Sequence, residues 1–241
     1  MRKGLIRRII SMALVFVLLS VVPVFATEVD YYDIGFVKFN GVYVNRLGLP
    51  IPNVVERGID VSSYQGNIDW AQVAEDDVSF AFVRCGTTNT GPDKMFDQNA
   101  AGCNNNGIAL GLYYRSFAPN EITARLEAQY TIYCAQKYNV TLPLVMDIEG
   151  KALAALGTAQ LQKNIAAFCD EVTAAGYTPM VYCSKSFMNS YIKSTPCAKW
   201  IAQYGDNFTY TGSNTKYWQC SSHGFVKGIT GLVDVDFKLA N

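Results

Sequence analysis

From Arg57 to its end the chain alternates apolar β-type runs with helical stretches, and that alternation leaves few architectures open. The runs are "RGIDVSSY", "VSFAFVR", "IALGLYYRSF", "LPLVMDIE", "TPMVYCS", "KWIAQY", "KYWQCS" and "LVDVDF". Many are apolar almost throughout, as strands buried on both faces are. Helices fill the early gaps: "IDWAQVAEDD" follows the first run, and "KMFDQNAAGCNNNG" follows the second and closes on a glycine. Asn120 is placed to cap a helix through Ile122, Leu126, Tyr130 and Cys134. Thr158 is placed to cap another, with Leu161, Ile165, Phe168 and Val172 on one face and Gly176 beyond its end. After the fifth run only "SKSFMNSYI" reads as helix, and turns such as "DNFTYTGSN" join the last strands. The pattern predicts an α/β fold, an irregular (β/α) TIM-like barrel of about eight strands with the late helices missing. An open doubly wound sheet is the alternative, but no GxGxxG follows the first strand.

The N-terminus has a different character. "MRKGLIRR" is basic, "IISMALVFVLLSVV" is apolar and "VFA" ends on a small residue, the order of a secretory signal. The apolar run is short for a bilayer span, so cleavage after Ala26 is expected over retention as an anchor. Residues 1–26 are thus read as signal, 27–56 as an N-terminal strap or hairpin and linker, and 57–241 as the barrel. Asn40-Gly41 between "FVKF" and "VYV" is the hairpin signal. No stable membrane insertion is expected once the signal is gone, and a monomer is expected.

Basic and acidic residues are equal at 20 each, and cleavage would remove Arg2, Lys3, Arg7 and Arg8 but no acid. The mature chain carries no basic footprint for nucleic acid. Its seven cysteines show no CxxC, and the odd number leaves at least one thiol free. Most are read as small buried apolar residues rather than a disulfide framework. With one histidine, His223, a Cys/His zinc site is not expected.

The chemistry sits in the acids. In "LVMDIEG", Asp147 and Glu149 are two apart, so both face the same side of a strand, at its C-terminal end, where barrels build their sites. Buried carboxylates are costly without a partner, and no cation lies beside this pair in sequence. Asp60 lies in the first strand; Asp234 and Asp236 lie in the last, again two apart. Barrel closure makes Asp60 and Asp234 neighbours. Crowded carboxylates drive their pKa values apart, leaving one protonated and others ionised. Glycosidic cleavage needs that division of labour: a proton for the leaving oxygen and negative charge near an oxocarbenium-like centre. Tyr64, Gln65, Tyr113, Tyr114, Tyr182, Gln203, Tyr204, Trp218 and Gln219 cluster at the same strand ends, and rings with amides suit the faces and edges of sugars.

With "GIDVSSYQGNIDW" first, "LPLVMDIE" in the middle and "YWQCSSHGFVKGITGLVDVDF" last, the chain from about Arg57 resembles glycoside hydrolase family 25, the Chalaropsis-type lysozymes. The resemblance implies an irregular (β/α) barrel and an exported muramidase. Its substrate would be the β-1,4 bond between N-acetylmuramic acid and N-acetylglucosamine in peptidoglycan, with no cofactor. It implies Glu149 as general acid. Asp147 would assist the substrate's 2-acetamido group, or act directly as nucleophile. Asp60 and Asp234 would be charge-setting or sugar-binding acids. Asp236 stands where the family often has Asn and is left out of that set. Arg115, in "YYRSF", departs from the family's usual small or aromatic residues. It is placed either to grip a substrate carboxylate or to form an internal ion pair. Two other functions stay open: hydrolysis of another N-acetylhexosamine polymer, and a catalytically silent glycan-binding module on the same barrel.

Overall fold

The structure, a computed structural model, describes residues 36–240, so the expected signal at 1–26 and the start of the strap lie outside the described residues. Among the described residues no helix is long and apolar enough to cross a membrane. A hairpin comes first: β1 (Val37–Phe39) and β2 (Val42–Val44) pair antiparallel. Asn40 and Gly41 turn it with φ of 50° and 81°, the left-handed pair that Asn-Gly supplies at least cost.

The barrel strands follow as β3 (Val54–Val61), β4 (Phe80–Thr87), β6 (Ala109–Arg115), β7 (Val140–Asp147), β8 (Pro179–Ser184), β9 (Ala198–Ala202), β10 (Thr215–Gly224) and β11 (Val233–Leu239). The two-residue β5 (Gly91–Pro92) is an antiparallel appendage of β4. β3 begins inside the segment expected to be linker, because Val54, Glu56 and Arg57 already pair with β11. From β3 round to β10 neighbours run parallel; β11 is antiparallel to both β10 and β3 and closes the ring. Closure rules out the open sheet. The antiparallel last strand also explains a missing helix, since β10 and β11 join by a short return rather than a crossover.

The helices are α1 (Trp70–Glu75), α2 (Phe96–Asn105), α3 (Glu121–Ala135), α4 (Lys151–Ala154), α5 (Thr158–Ala174) and α6 (Lys185–Phe187), the last continuing into a π-turn at Met188–Ile192. Asn120 caps α3 through its side chain, as its sequence position predicts. Thr158 does not cap α5: it is the first helical residue, and Gly157 is the cap residue at φ 77°. In α3 only the C-terminal half of the expected apolar row is buried: Cys134 lies in the core and Tyr130 packs against it. Ile122 and Leu126 are 73% and 60% exposed, while Ala124, Ala128, Thr131, Ala135 and Glu127 turn inward. Small side chains let the helix lie close to the barrel, and its inward acid is satisfied by the loops above.

Three apolar clusters hold the molecule. Phe80, Phe82, Tyr113, Val145, Met180, Tyr182, Trp200 and Tyr217 fill the barrel interior, with Phe82 stacked on Trp200 at 4.6 Å between centroids. A larger layer, including Ile59, Leu112, Met146, Ile165, Phe168 and Ile201, lies between the strands and the helices. The third joins Phe36, Tyr43 and Ile51 to Trp218, Val235 and Phe237. The hairpin segment thus covers the outer face of β10 and β11, which no helix shields. Arg46 fastens it there by two 2.9 Å bonds to the Asp206 carboxylate. Of the cysteines, Cys169 and Cys197 form a disulfide and the other five are buried thiols.

Candidate active site

Strand parity decides which side chains enter the barrel mouth. β7 ends at Asp147; Ile148 turns outward into the helical layer and Glu149 returns to the mouth. Two backbone bonds fix this ending: Ser116 N–H donates to Asp147 O and Ile148 N–H to Tyr182 O, each at 2.9 Å. Gly150, at φ 95°, then diverts the chain into α4. On the opposite wall Asp60 and Asp234 are register partners across β3 and β11. Because β11 is antiparallel, Asp234 sits at the start of its strand and still reaches the mouth.

The four acids therefore line one hollow of about 170 Å³ together with Tyr64, Gln65, Arg84, Tyr113, Arg115, Tyr182, Trp200 and Gln219. Gln219 organises one side: its amide N–H donates to Asp60 Oδ2 at 2.6 Å, while Tyr182 and Tyr204 donate to its carbonyl at 2.7 and 3.0 Å. Asp236 lies below, fully buried, and accepts from Trp200 Nε1 at 2.7 Å. Its other oxygen, Oδ2, is buried without a protein partner, and its charge acts on the neighbouring Asp60 carboxyl.

Burial and mutual repulsion raise the acids' proton affinities. Asp147 is pushed well above the usual carboxylate range by burial and then by the Glu149 charge, against the pull of Arg115 and Arg84. Asp60 is raised by burial and by Asp234 and Asp236, and Asp236 by burial and Asp234. Asp234 is pushed up to about 6, chiefly by burial and then by Glu149. Asp147 Oδ1 is buried without a protein partner. Arg115 contacts Glu149 directly and lies 3.7 Å from Asp147 Oδ2, so the expected alternative of an internal ion pair is present.

Not every expected sugar contact is at the mouth. Trp218 points outward, in register with the outward Ile201, and packs on Phe36 and Phe237 under the hairpin. Tyr114 likewise faces α3, with its ring 5.9 Å from Tyr130. Gln203 has its amide tied to Asn207 O at 2.8 Å and Thr209 N–H at 3.2 Å. Gln65 lines the hollow but is also tied to Ser62 N–H at 2.9 Å. Tyr64, 86% exposed, stands at the rim over Arg84. Sequence reading passed over Trp200 and Arg84. The register pairing of Trp200 with Tyr182 marks it as inward, a signal that needs the strand alignment. Among the described residues no cluster of three or more His, Cys, Asp or Glu has a metal-binding arrangement.

The same barrel occurs in solved proteins. The modular autolysin LytC of Streptococcus pneumoniae, solved in complex with a synthetic peptidoglycan ligand, matches at a TM-score of 0.75 and 27% identity, over 85% of this chain and 52% of LytC. A bacterial lysozyme of Streptomyces coelicolor matches at a TM-score of 0.67 and 26% identity, over 77% of this chain and 92% of that one. By sequence, Lysozyme M1 of Streptomyces globisporus is 32% identical over 195 residues, covering 74% of this chain and 66% of the relative. The autolytic lysozyme of Clostridium acetobutylicum is 28% identical over 186 residues, 75% of this chain but 55% of the relative. The chain thus spans only about half the length of some relatives it matches. The model of the glycosyl hydrolases family 25 matches residues 59–229, the stretch that runs from the strand of Asp60 past Gln219 and contains Asp147 and Glu149. With most of its length under that match, and with its barrel shared, the chain belongs to glycosyl hydrolase family 25.

Proposed function

We propose that this protein is an exported muramidase that hydrolyses the β-1,4 bond between N-acetylmuramic acid and N-acetylglucosamine in peptidoglycan. One observation carries the reading: acids from three separate strands share one hollow with sugar-facing tyrosines and amides. Glu149, partly exposed at the rim, is the general acid that protonates the leaving oxygen. Asp147 lies deeper, and its unpartnered Oδ1 is an acceptor for the N–H of the substrate's 2-acetamido group. Held this way, the acetamido oxygen attacks the anomeric carbon as the glycosidic bond breaks. A buried oxygen that lacks a donor favours this assignment over direct attack by Asp147, because accepting the N–H also removes the desolvation penalty. Asp60 and Asp234 set the charge of the mouth and bind sugar hydroxyls, with Tyr64, Tyr113, Tyr182, Tyr204 and Gln219 around them. The lysozyme names of the relatives and the peptidoglycan-bound neighbour support the choice of polymer. The expected signal segment supports export, with action at a bacterial cell wall.

The test is clearing of purified cell walls. The wild-type chain lowers turbidity, and Glu149→Gln slows it by about 10²–10⁴-fold, the range for loss of a general acid. Equal clearing by both would remove Glu149 from the mechanism. Turnover of chitin oligomers without action on walls would transfer the reading to another N-acetylhexosamine polymer.

A further inference from the structure

Two guanidiniums stand in the wall of the hollow, and they are held differently. Arg84 is closed off: its Nε donates to Asp93 Oδ2 at 2.8 Å, and Nη2 donates to Ser63 Oγ at 3.2 Å. Asp93 is itself fixed by Met95 N–H and Ser63 N–H, so this pair is part of the scaffold. Arg115 ends β6 in register with Asp147, and its side chain is 32% exposed. The ion-pair partners of Arg115 are Glu149 and Asp147, the two acids assigned to the chemistry. Its guanidinium lies 5.6 Å from the ring centroid of Phe117, a neutral surface on which it can slide.

This arrangement conflicts with the step assigned to Glu149. A carboxylate engaged with a guanidinium has no proton to give a leaving oxygen. The Arg115–Glu149 contact must therefore part in the productive complex. A half-buried guanidinium leaves one anion cheaply only for another. The substrate class of the proposed function carries such an anion beside the scissile bond: a carboxylate on the muramic lactyl group, or on the peptide that extends it.

We propose that Arg115 is a specificity residue that reads a carboxylate on the muramic sugar, holding Glu149 in the free protein and exchanging it for that carboxylate when substrate binds. The inference rests on the muramidase reading and deepens it. Exchange frees the Glu149 carboxyl from the guanidinium and opens it to the leaving oxygen. A neutral N-acetylhexosamine polymer offers nothing in exchange and leaves the latch closed.

The experiment compares kcat/KM for wild type, Arg115→Gln and Arg115→Lys on soluble substrates of three kinds, the third in two forms. The first is peptide-free glycan strands with free lactyl carboxylates. The second is the same strands with those carboxyls converted to methylamides. The third is peptide-bearing strands with their peptide carboxylates free or amidated. A charge-assisted bond predicts that wild type prefers the free carboxylate by about 10–100-fold over the methylamide. In Arg115→Gln the two should agree within about threefold, and Arg115→Lys, which keeps the charge but not the fork, should fall between them. A preference confined to the third substrate assigns the carboxylate to the peptide, and one confined to the first assigns it to the lactyl group. Equal rates of wild type on free and neutralised strands in both the peptide-free and the peptide-bearing series overturn the proposal, as does an Arg115→Gln ratio equal to that of wild type. If wild type cleaves none of these glycans, the muramidase reading falls and this inference with it; cleavage without discrimination removes the Arg115 assignment alone.

Discussion

Asp147, Asp60, Asp234 and Asp236 are acids whose proton affinity the fold raises, so their effect on stability has a definite sign. A carboxyl with a folded pKa above its unfolded value binds more protons folded than unfolded, and its contribution is full at low pH and lost as pH rises through the folded value. For Asp234 the loss runs from about 4 to beyond 6. Asp206 works in the opposite sense: Arg46 holds its pKa below the usual range, so its contribution disappears in acid. The melting temperature is therefore expected to be highest in mild acid and to fall toward pH 8, a course that calorimetry across pH 4 to 8 follows directly. Asp236→Asn should flatten that fall, because an amide keeps the acceptor for Trp200 Nε1 and removes both a titrating group and the charge that raises Asp60. An unchanged pH slope in this variant would show that the buried pair does not titrate as described. At the same scale Asp147→Asn should lower kcat far more than it changes KM, since an amide still accepts an N–H but carries no charge to stabilise the transition state. The four acids were legible in sequence from their two-residue spacings and from barrel closure. Trp200, Arg84 and the outward turn of Trp218 were not, because parity within a short apolar strand is set by its register with neighbours rather than by its own residues.

Helix α3 illustrates how an element positions a site without touching it. Glu127, buried on its inner face, accepts from Thr88 on the β4–β5 loop, from Ser116 Oγ at 2.6 Å and from Phe117 N–H at 3.2 Å. The 115–118 segment that carries Arg115 is thus pinned at its base, and Asn164 of α5 adds a 2.8 Å bond to Ala118 O. Glu127→Ala would strand the buried Ser116 hydroxyl and take from Thr88 and Phe117 N–H an acceptor they share, at a cost of about 1–3 kcal/mol in a denaturant titration. Glu127→Gln, which retains acceptor and shape, should lose less. Equal stability of wild type and Glu127→Ala would mean that solvent replaces the carboxylate and that the loop is not anchored there. Sequence periodicity gave the extent of α3 but not its facing. Two of its apolar residues, Ile122 and Leu126, point to solvent while Cys134 is buried, and close approach to the barrel favours alanines that periodicity underweights.

For the molecule as a whole, the barrel needs a cover wherever a helix is absent, and residues 36–51 provide it over β10 and β11. Trp218 is the centre of that contact, so Trp218→Ala should cost about 3–5 kcal/mol in stability. The folded fraction should keep its kcat/KM, because the ring lies on the far side of the strand from the acids. A fall in kcat/KM with stability intact would place Trp218 in substrate binding after all. The barrel itself was readable from strand–helix alternation, whereas the reversal of β11 was not, since an apolar strand reads the same in either direction. That reversal brings Asp234 opposite Asp60 and completes the ring of acids. Whether this ring breaks the assigned bond is tested most directly by mass spectrometry of the fragments released from purified peptidoglycan, with the new reducing end identified by borohydride reduction. Wild type should release fragments ending in reduced N-acetylmuramic acid, and Glu149→Gln should release almost none; fragments ending in reduced N-acetylglucosamine, or equal release by the two proteins, would contradict the account.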